Sequence, residues 1–187
     1  MQEEINKTVG ILQKGGIILY PTDTIWGLGC DASNQKAVDK VYKIKKRIEG
    51  KSLIILVDHP DRISDFVKNP DQRAIDLAST YDKPLTIIFP NAINLAKGVA
   101  AQDKSVGIRV VKDDFCAALV SQLGKAIVST SANFSGFPPP VRFHQISEEL
   151  KNSVDYVVNL HRERIGELKP SRIIRILNNG DFEILRP

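Results

Sequence analysis

Two hydrophobic rhythms alternate along the chain, one with helical spacing and one of short dense apolar runs. Ile5, Val9 and Leu12 fall at helical spacing and predict an amphipathic helix over residues 3–14, stopped by Gly15-Gly16. "IILY" follows as a buried strand closed by Pro21. Val38, Val41 and Tyr42 share one face of a second helix over 34–46, with Asn34 placed as its N-cap. "LIILV" predicts another buried strand, and residues 60–80 read as helix in two pieces split near Asn69-Pro70. Strands are expected at "LTIIF", "VGIRV" and "AIVST", with a helix around 114–123 between the last two. "VDYVVNL", "SRIIRIL" and "DFEIL" supply late strands, and the Asn178-Asn179-Gly180 turn makes the last two a hairpin. Strand runs mixed with helices in this way predict an α/β fold with a mixed, twisted sheet. No repeat, low-complexity tract or linker-like change of composition divides the chain, so one domain over 1–187 is expected. The order of the strands does not follow from the pattern.

Composition narrows this picture modestly. Hydrophobic residues make up 42% of 187, enough for a real core. A net charge of +4 and a pI near 9.0 suit an anionic ligand but fall short of the excess of a dedicated nucleic-acid coat. Cys30 and Cys116 are far apart and form no CxxC; His59, His144 and His161 are scattered, which argues against a zinc site. The start of the chain lacks the apolar core of a signal peptide, and no run reaches the roughly 20 apolar residues of a membrane span. A reducing, cytoplasmic setting is the simplest expectation.

Four stretches point at chemistry. In "YPTDTIWGLGCDA" a buried strand runs into Thr22, Asp23, Thr24 and two glycines. Such strand ends are where α/β folds hold ligands, although Pro, Thr, Asp and Gly also make ordinary turns. In "KIKKRIEGKS" the cations Lys43, Lys45 and Lys46 suit a helix C-terminus, where each adds roughly 0.3–1 kcal/mol through the dipole. Arg47 and Lys51 fall in the connector beyond that end and are less well explained so; a guanidinium fork there can hold a phosphate or carboxylate. Arg109 interrupts an apolar strand, and "STSANFSG" follows another. Its hydroxyls and amide can satisfy phosphate, ribose or carboxylate oxygens, or simply cap their own loop. Ser171 opens a late strand, and Arg186 lies in the terminal "ILRP". There is no GxxxxGK[ST], no GxGxxG and no GxSxG elbow. The residues therefore describe a positioning site of cations and hydroxyls without a covalent nucleophile.

Taken together and in this order, the stretches resemble the YrdC/Sua5/YciO/YwlC family of threonylcarbamoyl-adenylate synthases, over essentially the whole chain. The family's YPTDTxxGLG is Tyr20 to Gly29, its K-x-R is Lys45-Lys46-Arg47, its S-x-N is Ser131-Ala132-Asn133, its PLT is Pro84-Leu85-Thr86 and its VGxR is Val106 to Arg109. The resemblance implies a single YrdC-like α/β domain over 1–187, with helices flanking a twisted mixed sheet around a large basic concave cavity, and without the extra C-terminal domain of long-form relatives. It implies a nucleotidyltransferase that condenses L-threonine, bicarbonate or CO2, and ATP into threonylcarbamoyl-AMP and pyrophosphate, with Mg2+ expected on the phosphates. A separate tRNA threonylcarbamoyl transferase complex would use the product on adenosine beside the anticodon. Carried over residue by residue, Lys45, Arg47, Ser131 and Asn133 are catalytic. Arg47, Lys51, Ser105, Ser131 and Arg186 hold ATP, with Lys45 supporting. Thr24, Arg109, Ser129 and Ser171 surround threonine, and Arg109 meets its carboxylate. A second reading is a non-catalytic module that binds double-stranded RNA or tRNA; aromatics at 6% and no basic/aromatic platform make base stacking weak in that reading. The chain departs from the family pattern at Ile48 and Ser52, where Pro is usual, and at Ser171-Arg172-Ile173-Ile174, where S-T-V-V is usual.

Overall fold

The protein is described by a computed structural model covering residues 1–46, 53–163, 169–177 and 181–187. Its helices are α1 (Gln2–Gln13), α2 (Gln35–Lys45), α3 (Ile63–Phe66), α4 (Gln72–Thr80), α5 (Asp114–Leu123) and α6 (Glu148–Asn152). Its strands are β1 (Ile18–Tyr20), β2 (Gly27–Asp31), β3 (Ile54–Val57), β4 (Leu85–Phe89), β5 (Val106–Val110), β6 (Ile127–Ser131), β7 (Tyr156–Val157), β8 (Arg172–Ile176) and β9 (Phe182–Arg186). Among the described residues they form one mixed sheet in the order β7-β1-β2-β6-β3-β5-β4-β8-β9.

Successive strand residues point to opposite faces, and both faces of this sheet bury apolar side chains. One face sets Leu28, Cys30, Ile55, Val57, Ile87, Val106, Ile108 and Val128 against Ala37, Val38 and Val41 of α2 and Ala74, Ile75 and Ala78 of α4. The other sets Ile18, Tyr20, Leu56 and Ile127 against Ile5, Val9 and Leu12 of α1 and Phe115, Leu119 and Leu123 of α5. A smaller cluster of Leu19, Trp26, Ala132, Ile146 and Leu150 closes the β1–β2 end. Burial on this scale is worth roughly 1.5–3 kcal/mol for each large aliphatic side chain, so the two layers hold the sheet from both sides.

The sequence pattern located most elements. Asn34 does cap α2, its side chain accepting from the Ala37 amide at 3.2 Å. The 60–80 region splits as expected: after α3, Val67 bridges to Ala92 and Asn69 takes a positive φ of 52° before α4 begins. Three differences stand out. "GLGCD", read as part of a loop, is the strand β2, paired antiparallel with both β1 and β6. Its glycines provide space rather than a turn: a Cβ on Gly29 would lie 2.7 Å from both the Tyr20 ring and the Val128 carbonyl. "VDYVVNL" pairs only at Tyr156–Val157. The short α6 has too few turns for its periodicity to show. The antiparallel β8–β9 pair is the expected hairpin; the Asn178-Asn179-Gly180 turn lies outside the described residues, as do Arg47, Ile48, Lys51 and Ser52.

Candidate functional site

The alternation that builds the helix-covered layers also builds a cavity. On β5, Val106 and Ile108 face α2 and α4, so Gly107 and Arg109 face the opposite way. On β4 that opposite face takes Thr86 and Ile88, on β6 Ser129 and Ser131, on β3 Ile54, and on β2 Gly27. Strand register sets them side by side: Gly27 opposite Ser131, Ile54 opposite Ser129 and Gly107, and Arg109 opposite Thr86. The row continues through Thr86–Ile173 and Ile173–Arg186. Where α1 and α5 do not cover this face, these residues line a cavity of about 310 Å³, at the lower end of small-ligand sites. Gly107 keeps its floor open, because a Cβ there would sit 2.9 Å from Ile54 and 3.2 Å from Thr86.

Of the residues singled out in the sequence, Thr24, Ser105, Arg109, Ser129, Ser131, Ser171 and Arg186 all line this one cavity. Arg109 is 2% exposed. Its Nη1 donates to Thr24 Oγ1 at 3.1 Å, and its Nη2 forms a buried ion pair with Asp23 at 3.2 Å. Its Nε is buried without a hydrogen-bond partner among the described residues. Arg186 Nε donates to the Ser171 carbonyl at 2.8 Å and Nη2 to Ser171 Oγ at 3.2 Å. Burial, and then the nearby charge of Arg109, lower the Arg186 pKa from its ordinary value. Ser171 and Thr86 hydroxyls meet at 2.8 Å. The arginine that follows Ser171 does not crowd the cavity: Arg172 points to solvent and donates to the Tyr81 hydroxyl at 2.8 Å. Ser105 hydroxyl donates to Asp103 at 2.6 Å, and the hydroxyl and amide of Ser105 hold the Asp103 carboxyl below its ordinary range.

Lys45 and Asn133 stand behind the cavity wall. The Lys45 side chain is buried, and its amine donates to the carbonyls of Ser131 and Asn133, both at 2.6 Å, and to Asn133 Oδ1 at 3.3 Å. Asn133 in turn donates to the carbonyls of Phe134 at 3.0 Å and Phe137 at 2.6 Å. The Ser135 amide returns to the Lys45 carbonyl at 2.9 Å. The last turn of α2 is thereby tied to the S-x-N loop from both sides. Lys46, read as a solvated helix end, is exposed and pairs with Glu149 at 3.0 Å. Asp23 and Thr86, which the sequence places in the YPTDT and PLT motifs without a role, belong to the same site: Asp23 pairs with Arg109 and Thr86 lines the cavity. Thr86 is also the polar alternate of an otherwise apolar "LTIIF". Among the described residues no group of three or more His, Cys, Asp or Glu side chains could hold a metal ion, and no helix is long and apolar enough to cross a membrane.

An open sheet face with the buried Arg109 and the exposed Arg186, serine and threonine hydroxyls and a glycine floor on an α/β scaffold has the chemistry to suit a small anionic ligand. The chain belongs to the Sua5/YciO/YrdC family: that family's model, described as telomere recombination, matches residues 10–187. The threonylcarbamoyl-AMP synthase of Pseudoalteromonas translucida is 31% identical over 184 residues, covering 97% of this chain and 97% of that protein. Among solved structures, the H234A/Y235A form of P. abyssi Sua5 superposes with a TM-score of 0.88 at 25% identity, over 98% of this chain and 56% of that one. P. abyssi Sua5 complexed with L-threonine superposes with a TM-score of 0.85 at 24% identity, over 98% of this chain and 53% of that one. This chain thus spans just over half the length of the solved protein.

Proposed function

We propose that this protein is an L-threonylcarbamoyladenylate synthase, joining L-threonine, bicarbonate or CO2, and ATP into threonylcarbamoyl-AMP and pyrophosphate for the modification of adenosine in tRNA. The observation that carries this reading is the convergence of Thr24, Ser105, Arg109, Ser129, Ser131, Ser171 and Arg186, drawn from distant motifs, onto one cavity. The name shared by curated relatives at about this length and the threonine complex of P. abyssi Sua5 support it.

In this reading the threonine carboxylate meets Arg109, with Thr24, Ser129 and Ser171 around the amino acid. The neutral threonine amine adds to the carbon of CO2, one C=O bond opening to an oxygen anion as the nitrogen gives up a proton to water, and the product is a carbamate. A carbamate oxygen then bonds to the α-phosphorus of ATP as the bond from that phosphorus to the pyrophosphate oxygen breaks. No protein nucleophile is required; the chain supplies position and fixed positive charge. Arg186, Ser105 and Ser131 lie on the nucleotide side, and Arg47 and Lys51, outside the described residues, are assigned to the phosphates by their place in K-x-R and beyond it. The direct contacts of Lys45 to two backbone carbonyls give it the task of holding the S-x-N loop for Ser131. Mg2+ enters as part of the substrate, carried on the triphosphate oxygens.

The test is incubation of the pure protein with ATP, threonine and bicarbonate, followed by mass spectrometry. Threonine-dependent pyrophosphate and an adenylate of the expected mass are the predicted outcome. No turnover, with neither threonine nor ATP binding, would rule the reading out.

A further inference from the structure

The hydrogen bonds around Thr24 have a fixed direction. A guanidinium only donates, so Thr24 Oγ1 accepts from Arg109 Nη1 at 3.1 Å. A carbonyl only accepts, so the Thr22 hydroxyl proton goes to the Ile25 carbonyl at 2.8 Å. The two threonine hydroxyls are 2.9 Å apart. With the Thr22 proton already committed, the proton between them belongs to Thr24. Thr22 Oγ1 also accepts from the Thr24 amide at 3.1 Å, which fixes the pair in register. Both threonines are 3% exposed, and their burial makes an unmatched hydroxyl costly. One lone pair of Thr24 Oγ1 serves Arg109; what it still offers the cavity is a lone pair and no proton.

We propose that Thr22 is a positioning residue that polarises the Thr24 hydroxyl, making it an acceptor toward the cavity, so that the site selects a ligand carrying an amino-type donor at that point. The donor-only side chain of Arg109 sits beside the acceptor-only hydroxyl of Thr24. An α-amino acid presents the complementary order, a carboxylate next to an N–H donor. A ligand with an acceptor in place of the amino group would face lone pair against lone pair. This inference rests on the functional reading above and adds the reason the cavity distinguishes an amino acid from its deaminated analogue.

The experiment measures the affinity of threonine, (R)-3-hydroxybutyrate and ATP for the wild type, Thr22→Val and Thr22→Ser by titration calorimetry. Valine keeps the shape but takes away the acceptor for the Thr24 proton, so that proton can turn into the cavity. The expected result is that Thr22→Val weakens threonine binding about tenfold, the size of one well-placed hydrogen bond, while ATP binding is essentially unchanged. The preference for threonine over (R)-3-hydroxybutyrate narrows, and Thr22→Ser restores it. Unchanged threonine affinity in Thr22→Val overturns the inference, and so does an equal weakening of threonine and ATP, which would mark a merely structural loop. A wild-type protein that binds no threonine overturns the functional reading itself, a result distinguishable from either of these.

Discussion

At the scale of single residues, the site depends on charges that are buried and already engaged. Lys45 shows how: an amine expected near phosphate is used by two backbone carbonyls at 2.6 Å. Lys45→Met would take the lysine donor from the Asn133 carbonyl, at about 1–3 kcal/mol for a buried group, while the Ser131 carbonyl keeps the Asn133 amide at 2.9 Å. We expect the unfolding free energy to fall by about 2 kcal/mol in urea titrations, with hydrogen exchange in the S-x-N loop faster than in the wild type. Unchanged stability would mean that the amine is not buried against the loop. Asp23 is the counterpart on the other wall. Asp23→Asn leaves Arg109 buried without its countercharge, which typically costs about 3–5 kcal/mol. Thermal unfolding should record the loss, and the threonine KM should move more than the ATP KM, because Arg109 reaches the cavity beside Thr24.

At the scale of elements, strand alternation determines the cavity, and glycine determines whether it stays open. Gly107→Ala would place a methyl 2.9 Å from Ile54 Cγ2 on the cavity floor. Overpacking of this kind costs about 1–3 kcal/mol, and catalytic turnover should fall further than stability does, as activity and denaturation curves on the same preparation would show. Alternation also explains what could be read in advance. Arg109 was legible because it interrupts an apolar strand; Ser129 and Ser131 stood out as hydroxyls expected in a loop after a strand, whereas β6 runs on through Ser131. β2 was not, because Gly27 and Gly29 look like turn residues until Tyr20 is seen to need their space. The ion pair of Asp23 with Arg109 joins residues 86 positions apart and depends on strand order, which local periodicity does not encode. The bonds of Lys45 to the S-x-N loop were not legible for a similar reason: they join residues 86 and 88 positions apart.

At the scale of the whole molecule, acid sensitivity has a traceable component. Burial pushes the Asp31 carboxyl upward, but hydrogen bonds from Lys125 and Ser33 outweigh it and hold the group below its ordinary value. A depressed folded-state pKa means stability that is complete above the unfolded value of about 3.9 and is lost as pH falls through the folded one. Lys125→Ala should therefore reduce stability at neutral pH by under about 1 kcal/mol, given its exposed amine, and flatten the acid limb of the pH–stability curve. The larger consequence concerns how the cavity can change over generations of sequence. Core and pocket are written on the same strands in opposite phase: Ile108 belongs to one, Gly107 and Arg109 to the other. Inserting or deleting one residue within β5 would exchange them, sending a guanidinium into the oily layer and isoleucine into the pocket. Within the strands the pocket can therefore be revised by replacing letters in place, while changes of length are left to the loops that rim it.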